Sequence, residues 1–225
     1  MRIAAILLAA GRGERLGTDA PKAFAELDGR PLLLHSLDAV RSSLEGAVVM
    51  VTVPQEWEAR TSALVGNSAR VVTGGDTRQR SVAVALESIG HDEEPDVIVC
   101  HDVARPFATA ALFGAVVDAL EGDGGADGAI PVIDVADTLK RVDDGHVVET
   151  ISRDGIVRVQ TPQAFRYEAL VRAHREAGDE SATDDASLLE RIGLRVATVE
   201  GEADNIKITT LGDLRLAHMI GRSRG

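Results

Sequence analysis

Residues 3–24 read IAAILLAAGRGERLGTDAPKAF: a short apolar stretch runs straight into three glycines, two arginines and a Pro-Lys pair. An apolar run of this kind that ends on glycines predicts a strand feeding a tight turn, whose unhindered amides can approach phosphate oxygens. Arg12, Arg15 and Lys22 add positive charge to that turn. Two familiar phosphate motifs fail on spacing. Gly11 and Gly13 begin a G-x-G-x-x-G pattern, but Leu16 stands at the third glycine position, and no Gly-Lys pair exists for a G-x-x-x-x-G-K-[ST] loop. What remains is a nucleoside triphosphate cradle of another type, at the end of the first strand of an α/β fold.

Working outward, β-rich apolar runs recur at 47–53 (AVVMVTV), 69–73 (ARVVT), 96–100 (DVIVC) and 128–133 (GAIPVI). Between them lie helical patterns such as PLLLHSLDAVRSS and RQRSVAVALESI. Alternation of this kind predicts crossover units and a mainly parallel sheet, covered on both faces because its strands are apolar throughout. The pattern changes after Asp134. DTLKRVDDGHVVETI alternates on either side of Asp143-Asp144-Gly145, which predicts a β-hairpin too polar for the sheet interior. Two readings of that hairpin stand: an exposed excursion, or an arm that packs on a second subunit. A strand at IVRVQT, helical segments near 166–177 and 184–191, a strand at LRVATVE and a helix after Thr209 complete the chain.

The 225 residues suit one α/β domain with a full core. A net charge of −12 repels nucleic acid and anionic membranes, so an anionic substrate must be held by local cations. Cys100 is the only cysteine; no internal disulfide or cysteine metal cluster can form, and a cytoplasmic setting is expected. The opening apolar run, residues 3–10, is too short for a membrane span and leads into a charged loop, so it is read as a core strand and not a secretion signal.

In open parallel sheets, ligands bind beyond the carboxyl ends of the strands. The sequence there is rich: the glycine loop, then GGDTRQRS at 74–81, HDVARP at 101–106 and ADNIKIT at 203–209. Asp76 has the makings of a helix cap, but a helix opening on Arg78 and Arg80 is unfavourable at its positive end unless an anion sits there. Asp102 at a strand end beside a phosphate cradle suits Mg²⁺, which takes one or two carboxylates plus phosphate oxygens. Lys207 ends an apolar segment, where a fixed cation can grip phosphate. Cys100 and His101 do not form a nucleophile pair, because adjacent strand residues point to opposite faces. The remaining histidines show no metal spacing, and Thr183-Asp184-Asp185 reads as an acidic helix start. The inventory is the glycine amides including Gly11 and Gly13, with Arg15, Lys22, Arg78, Asp102, Arg105 and Lys207. It holds no general base, which fits attack by a phosphate oxygen that is already ionised.

Taken together, LLAAGRGERLGTDAPKAF, GGDTRQRSV, HDVARPF, DTLKRV, TPQAF and ADNIKIT resemble, in order, the motifs of the 2-C-methyl-D-erythritol 4-phosphate cytidylyltransferase family. That resemblance implies a Rossmann-like α/β homodimer with an exchanged arm at about 134–158, taking CTP and a small polyol phosphate with Mg²⁺. It implies that Arg15 and Lys22 hold the triphosphate and stabilise the reacting phosphorus. Ala9, Ala10, Gly11, Gly75, Asp76 and Ser81 would line the cytosine and ribose site, and Asp102 would sit by the magnesium with Arg105 nearby. Thr138, Arg153 and Lys207 would bind the polyol phosphate, the first two reaching across the dimer. The alternatives are a ribitol 5-phosphate cytidylyltransferase and a non-catalytic nucleotide-sensing module.

Overall fold

The computed structural model describes residues 1–11, 20–121, 125–177 and 182–224. In chain order the elements are β1 (Ile3–Leu8), β2 (Glu26–Leu27), β3 (Arg30–Pro31), α1 (Leu32–Ser43), β4 (Val48–Val53), α2 (Glu58–Val65), β5 (Arg70–Thr73) and α3 (Arg78–Glu87). Then follow β6 (Val97–Asp102), α4 (Ala110–Asp118), β7 (Gly128–Asp134), β8 (Leu139–Asp143), β9 (His146–Ile151), β10 (Val157–Val159) and β11 (Gln163–Arg166). The last are α5 (Tyr167–Ala177), α6 (Ala186–Arg191), β12 (Val196–Glu200) and α7 (Leu211–Arg224).

Alternate residues of each central strand bury on opposite faces, as the pleat requires. Ala5 and Leu7 of β1 join Val97 and Val99 of β6 in a core under α1 and α4, while Ala4, Ile6, Ile98 and Cys100 face a second core under α3, α5 and α6. Helices therefore cover both faces, as expected. The sheet runs β10-β7-β11-β6-β1-β4-β5, with β12 on the other edge of β7. Pairings β5-β4-β1-β6 and β7-β12 are parallel.

One strand escaped the sequence reading. QAFR at 163–166, left unassigned between the IVRVQT strand and the helical segment near 166–177, is β11, antiparallel to both β6 and β7. With β10 it forms a broken strand along β7, where the Gln160 amide reaches the Pro131 carbonyl. Four residues carry too little periodicity to separate a short buried strand from a helix turn. Burial decided it: Gln163, Ala164 and Phe165 all lie inside the sheet.

The hairpin forms where expected. Among the described residues β8 and β9 pair only with each other, joined through Asp144 (φ 43°) and Gly145 (φ 75°). Two successive positive φ values are the mark of a tight hairpin turn whose twist matches its strands. The arm leaves Val142, Val147 and Val148 more than half exposed.

Candidate active site

Register brings the strand ends together. Leu8 pairs with Thr52 on one side and Asp102 on the other, so residues 9–11 leave the sheet between β4 and β6. Beyond these ends lies a cleft of about 190 Å³, lined among others by Ala9, Ala10, Gly11, Lys22, Gly75, Asp76, Arg78, Ser81, Asp102 and Lys207. Ten residues singled out from the sequence thus meet in one place. Gly13 and Arg15 lie outside the described residues.

The cleft walls are built locally. Gly74 must be glycine because a Cβ there would meet the Ala10 Cβ at 2.6 Å. Ser81, buried on α3, accepts a hydrogen bond from the Gly75 amide at 3.1 Å and pins the turn. The cap of α3 is Thr77, whose hydroxyl accepts from the Arg80 amide at 3.0 Å, so Asp76 is free of the capping duty the sequence suggested and lines the cleft. Lys22 opens a 3-10 turn anchored by buried Ala23 and Phe24. Phe24 stacks on Trp57 with centroids 4.3 Å apart, and Arg60 lies over both rings.

Asp102 is the electrostatic centre. Lys207 Nζ sits 2.7 Å from one carboxylate oxygen and Arg78 Nε 3.6 Å from the other. Burial alone would push the Asp102 carboxyl up, but Arg78 and Lys207 outweigh it and hold the group well below the usual carboxylate range. Its backbone amide donates to Thr161 Oγ1 at 3.0 Å. That hydroxyl also meets His101 Nδ1 at 3.1 Å, while His101 Nε2 faces the Arg105 carbonyl. A carbonyl only accepts, so Nε2 carries the proton and Nδ1 accepts from Thr161. Burial pushes His101 down to about 4, which keeps it neutral. Cys100 faces the opposite core, so the two side chains are apart, as expected.

Lys207 is aimed by its loop. Gln160 donates to the Glu202 carbonyl at 2.8 Å and accepts from the Glu202 amide, and Asn205 donates to the Thr161 carbonyl at 2.9 Å. Arg105 donates to the carbonyls of Asn205 at 2.7 Å and Val159 at 3.2 Å. Its guanidinium clamps backbone beneath the Lys207 loop and does not line the cleft. Thr138 is exposed at the arm's base, and Arg153 donates to the carbonyls of Val135 and Ala136 there; neither lines the cleft of its own chain.

The anion required at the start of α3 is partly the protein's own. Arg78 Nη1 donates to Asp185 at 2.6 Å, and Asp185 is fully buried. The sequence reading missed this residue. In Thr183-Asp184-Asp185 the capping work falls to Asp184, which accepts from the Ser187 amide at 3.1 Å, and nothing in the local pattern separates the two aspartates.

A strand-end cleft of glycine amides, lysines and one ionised aspartate has the donors and cations that a phosphorylated ligand requires. The profile of the IspD family, 2-C-methyl-D-erythritol 4-phosphate cytidylyltransferase, matches residues 3–223. The chain belongs to this family. Among IspD relatives, it is 42% identical over 227 residues to the bifunctional enzyme IspD/IspF of Rhodospirillum rubrum, covering 100% of this chain and 58% of that one. The chain thus spans little more than half the length of such bifunctional relatives. It is 42% identical over 223 residues to the 2-C-methyl-D-erythritol 4-phosphate cytidylyltransferase of Cereibacter sphaeroides, covering 98% and 97% of the two chains. The crystal structure of the IspD enzyme from Thermus thermophilus superposes with a TM-score of 0.83 at 36% identity, covering 99% and 100%. That agreement extends to the mainly parallel sheet and its flanking helices.

Proposed function

We propose that this chain joins CTP and 2-C-methyl-D-erythritol 4-phosphate, forming 4-diphosphocytidyl-2-C-methyl-D-erythritol and releasing pyrophosphate, in non-mevalonate isoprenoid precursor synthesis. The observation that carries the reading is the Lys207–Asp102–Arg78 cluster in the same cleft as Lys22, in a chain that matches the family from residue 3 to 223. Neither a general base nor a covalent nucleophile is called for. The ionised phosphate oxygen of the polyol attacks the α-phosphorus of CTP, the bond to the bridging β-phosphate oxygen breaks, and pyrophosphate leaves with the electron pair. Lys22 and Arg15 stabilise charge that grows on the phosphoryl oxygens, and Lys207 orients the incoming phosphate. Backbone and side-chain groups of Ala9, Ala10, Gly11, Gly75, Asp76 and Ser81 hold the nucleoside.

The donor set suits Mg²⁺. No group of three His, Cys, Asp or Glu side chains is gathered among the described residues, but Asp102 presents one carboxylate at the cleft with an oxygen only loosely paired at 3.6 Å. A hard cation that takes most of its ligands from phosphate and water needs no more. Asp102 would hold it, and when bound the ion neutralises charge on the triphosphate. Two further parts belong to the same proposal. The chain acts as a homodimer in which Thr138 and Arg153 of the arm reach the other subunit's cleft, and it works in the cytoplasm; no described helix is long and apolar enough to cross a membrane.

The test is pyrophosphate release from each of four nucleoside triphosphates with methylerythritol phosphate and with ribitol 5-phosphate. CTP with methylerythritol phosphate should dominate, with activity lost in excess chelator and regained with Mg²⁺. Preference for ribitol 5-phosphate, or no release at all, overturns the assignment.

A further inference from the structure

The chain of charges at the cleft does not stop at Arg78. Asp185 takes Arg78 Nη1 on one oxygen at 2.6 Å and His174 Nε2 on the other at 3.1 Å, and its side chain is 1% exposed. Lys207, Asp102, Arg78, Asp185 and His174 therefore form one continuous line from the cleft to the packing of α5 against α6. We propose that Asp185, oriented by His174, is a positioning residue that holds Arg78 against the wall of the nucleotide cleft.

Three observations favour this over a purely structural ion pair. Removing charges from water is expensive, and apolar side chains of similar size would join α3 to α6 at least as well. Second, Arg78 lines the cleft and its Nη2 is buried without a hydrogen-bond partner among the described residues, whereas Arg105, whose Nε is likewise unpartnered, does not line it. Third, the distances are unequal. Asp185 grips Arg78 at 2.6 Å while Asp102 stands 3.6 Å away, so Asp185 carries the guanidinium and Asp102 is left to Lys207 and the cleft. Without the Asp185 charge, Arg78 would close on Asp102, its other carboxylate partner among the described residues, and lose its present position in the cleft wall. Asp184 cannot replace it, since its carboxylate is engaged by the Ser187 amide and by Gln163 at 3.1 Å.

The inference rests on the cleft being a nucleotide site, as proposed above, but not on which polyol is used. The experiment is a double-mutant cycle read by calorimetric binding of CTP, or of whichever nucleoside triphosphate the wild-type chain binds, with no polyol phosphate present. Asp185→Asn and Arg78→Met should each weaken binding about tenfold, and the double variant should be no weaker than Arg78→Met alone, because Asp185 acts only through Arg78. If Arg78→Met binds too weakly to measure, Arg78→Lys takes its place. His174→Leu leaves the Asp185–Arg78 contact in place and should give a smaller loss of about threefold, with His174→Gln restoring it through a retained N–H donor. This pair keeps the question answerable should Asp185→Asn not fold. Wild-type affinity in both Asp185→Asn and His174→Leu, or additive losses in the double variant, overturns the proposal. A wild-type chain that binds a triphosphate but turns over no polyol phosphate would overturn the functional reading and leave this cycle readable.

Discussion

Asp102 and Lys22 show how single residues acquire roles that their chemistry alone does not assign. A carboxylate flanked by Arg78 and Lys207 stays ionised in a buried place, and a lysine behind Pro21 lines the same cleft on a turn anchored by Ala23 and Phe24. Lys22→Ala and Arg15→Ala should each lower kcat/KM by at least ~100-fold, about 2.7 kcal/mol, since each removes a charge aimed at the transition state. Steady-state kinetics on folded variants checks this, and losses under tenfold in both would contradict it. His101 carries a stability prediction of definite sign. Its folded-state value of about 4 lies below the ordinary value near 6.5, so between those values the unfolded chain binds more protons. Stability from this group is complete at pH 7, falls as the pH drops through that window, and the loss by pH 4 is on the order of 3 kcal/mol. Denaturant melts of wild type and His101→Gln should show this slope in the first and not in the second. Asp102 and Asp185, both held low, add a further loss at still lower pH.

At the level of elements, the cleft depends on close approach between the end of β1 and the start of α3. Gly74 sits where those two meet, and a Cβ there would contact Ala10 Cβ at 2.6 Å and Ser81 Oγ at 3.0 Å, neither of which is the far end of a flexible side chain. Gly74→Ala should cost ~1–3 kcal/mol in overpacking and push Ala10 away from the start of α3. Urea unfolding gives the stability, and a matching rise in KM for CTP gives the displacement; wild-type values in both would show that the turn has room to spare. The long strands and the Asp144-Gly145 turn were legible because a single local signal, apolar run or turn dipeptide, decided each. β11 was not, because a four-residue strand is defined by the neighbours that bury it.

At the scale of the whole molecule, the arm stands apart from the sheet. β8 and β9 pair with no other described strand, their valines face outward, and Arg153 and Thr138 stand at the arm's base away from their own cleft. If the arm completes the other subunit's site, mixing Arg153→Ala with Lys22→Ala should restore activity. A mixed dimer has one site with both lesions and one with neither, and half the dimers are mixed, so about a quarter of wild-type activity returns. No recovery, with subunit exchange verified by labelled chains, would reject the exchanged arm and leave the cleft chemistry standing.

By itself the sequence determined the α/β class, the glycine-rich stretch after the first strand, and the choice of Lys22, Arg78, Lys207 and Asp102, which meet at the strand-end cleft. These follow from local pattern and from the rule that parallel sheets bind ligands beyond their carboxyl ends. Only the tertiary structure decided that Arg105 clamps backbone beneath the Lys207 loop, that Thr77 caps α3, and that Asp185 is the buried partner of Arg78. Each of those roles depends on which group lies across a space of a few ångströms. Asp185 and Arg78 are 107 residues apart in the chain. No local pattern marks one aspartate of an Asp-Asp pair for burial, because the desolvation that makes it matter is imposed by elements distant in sequence.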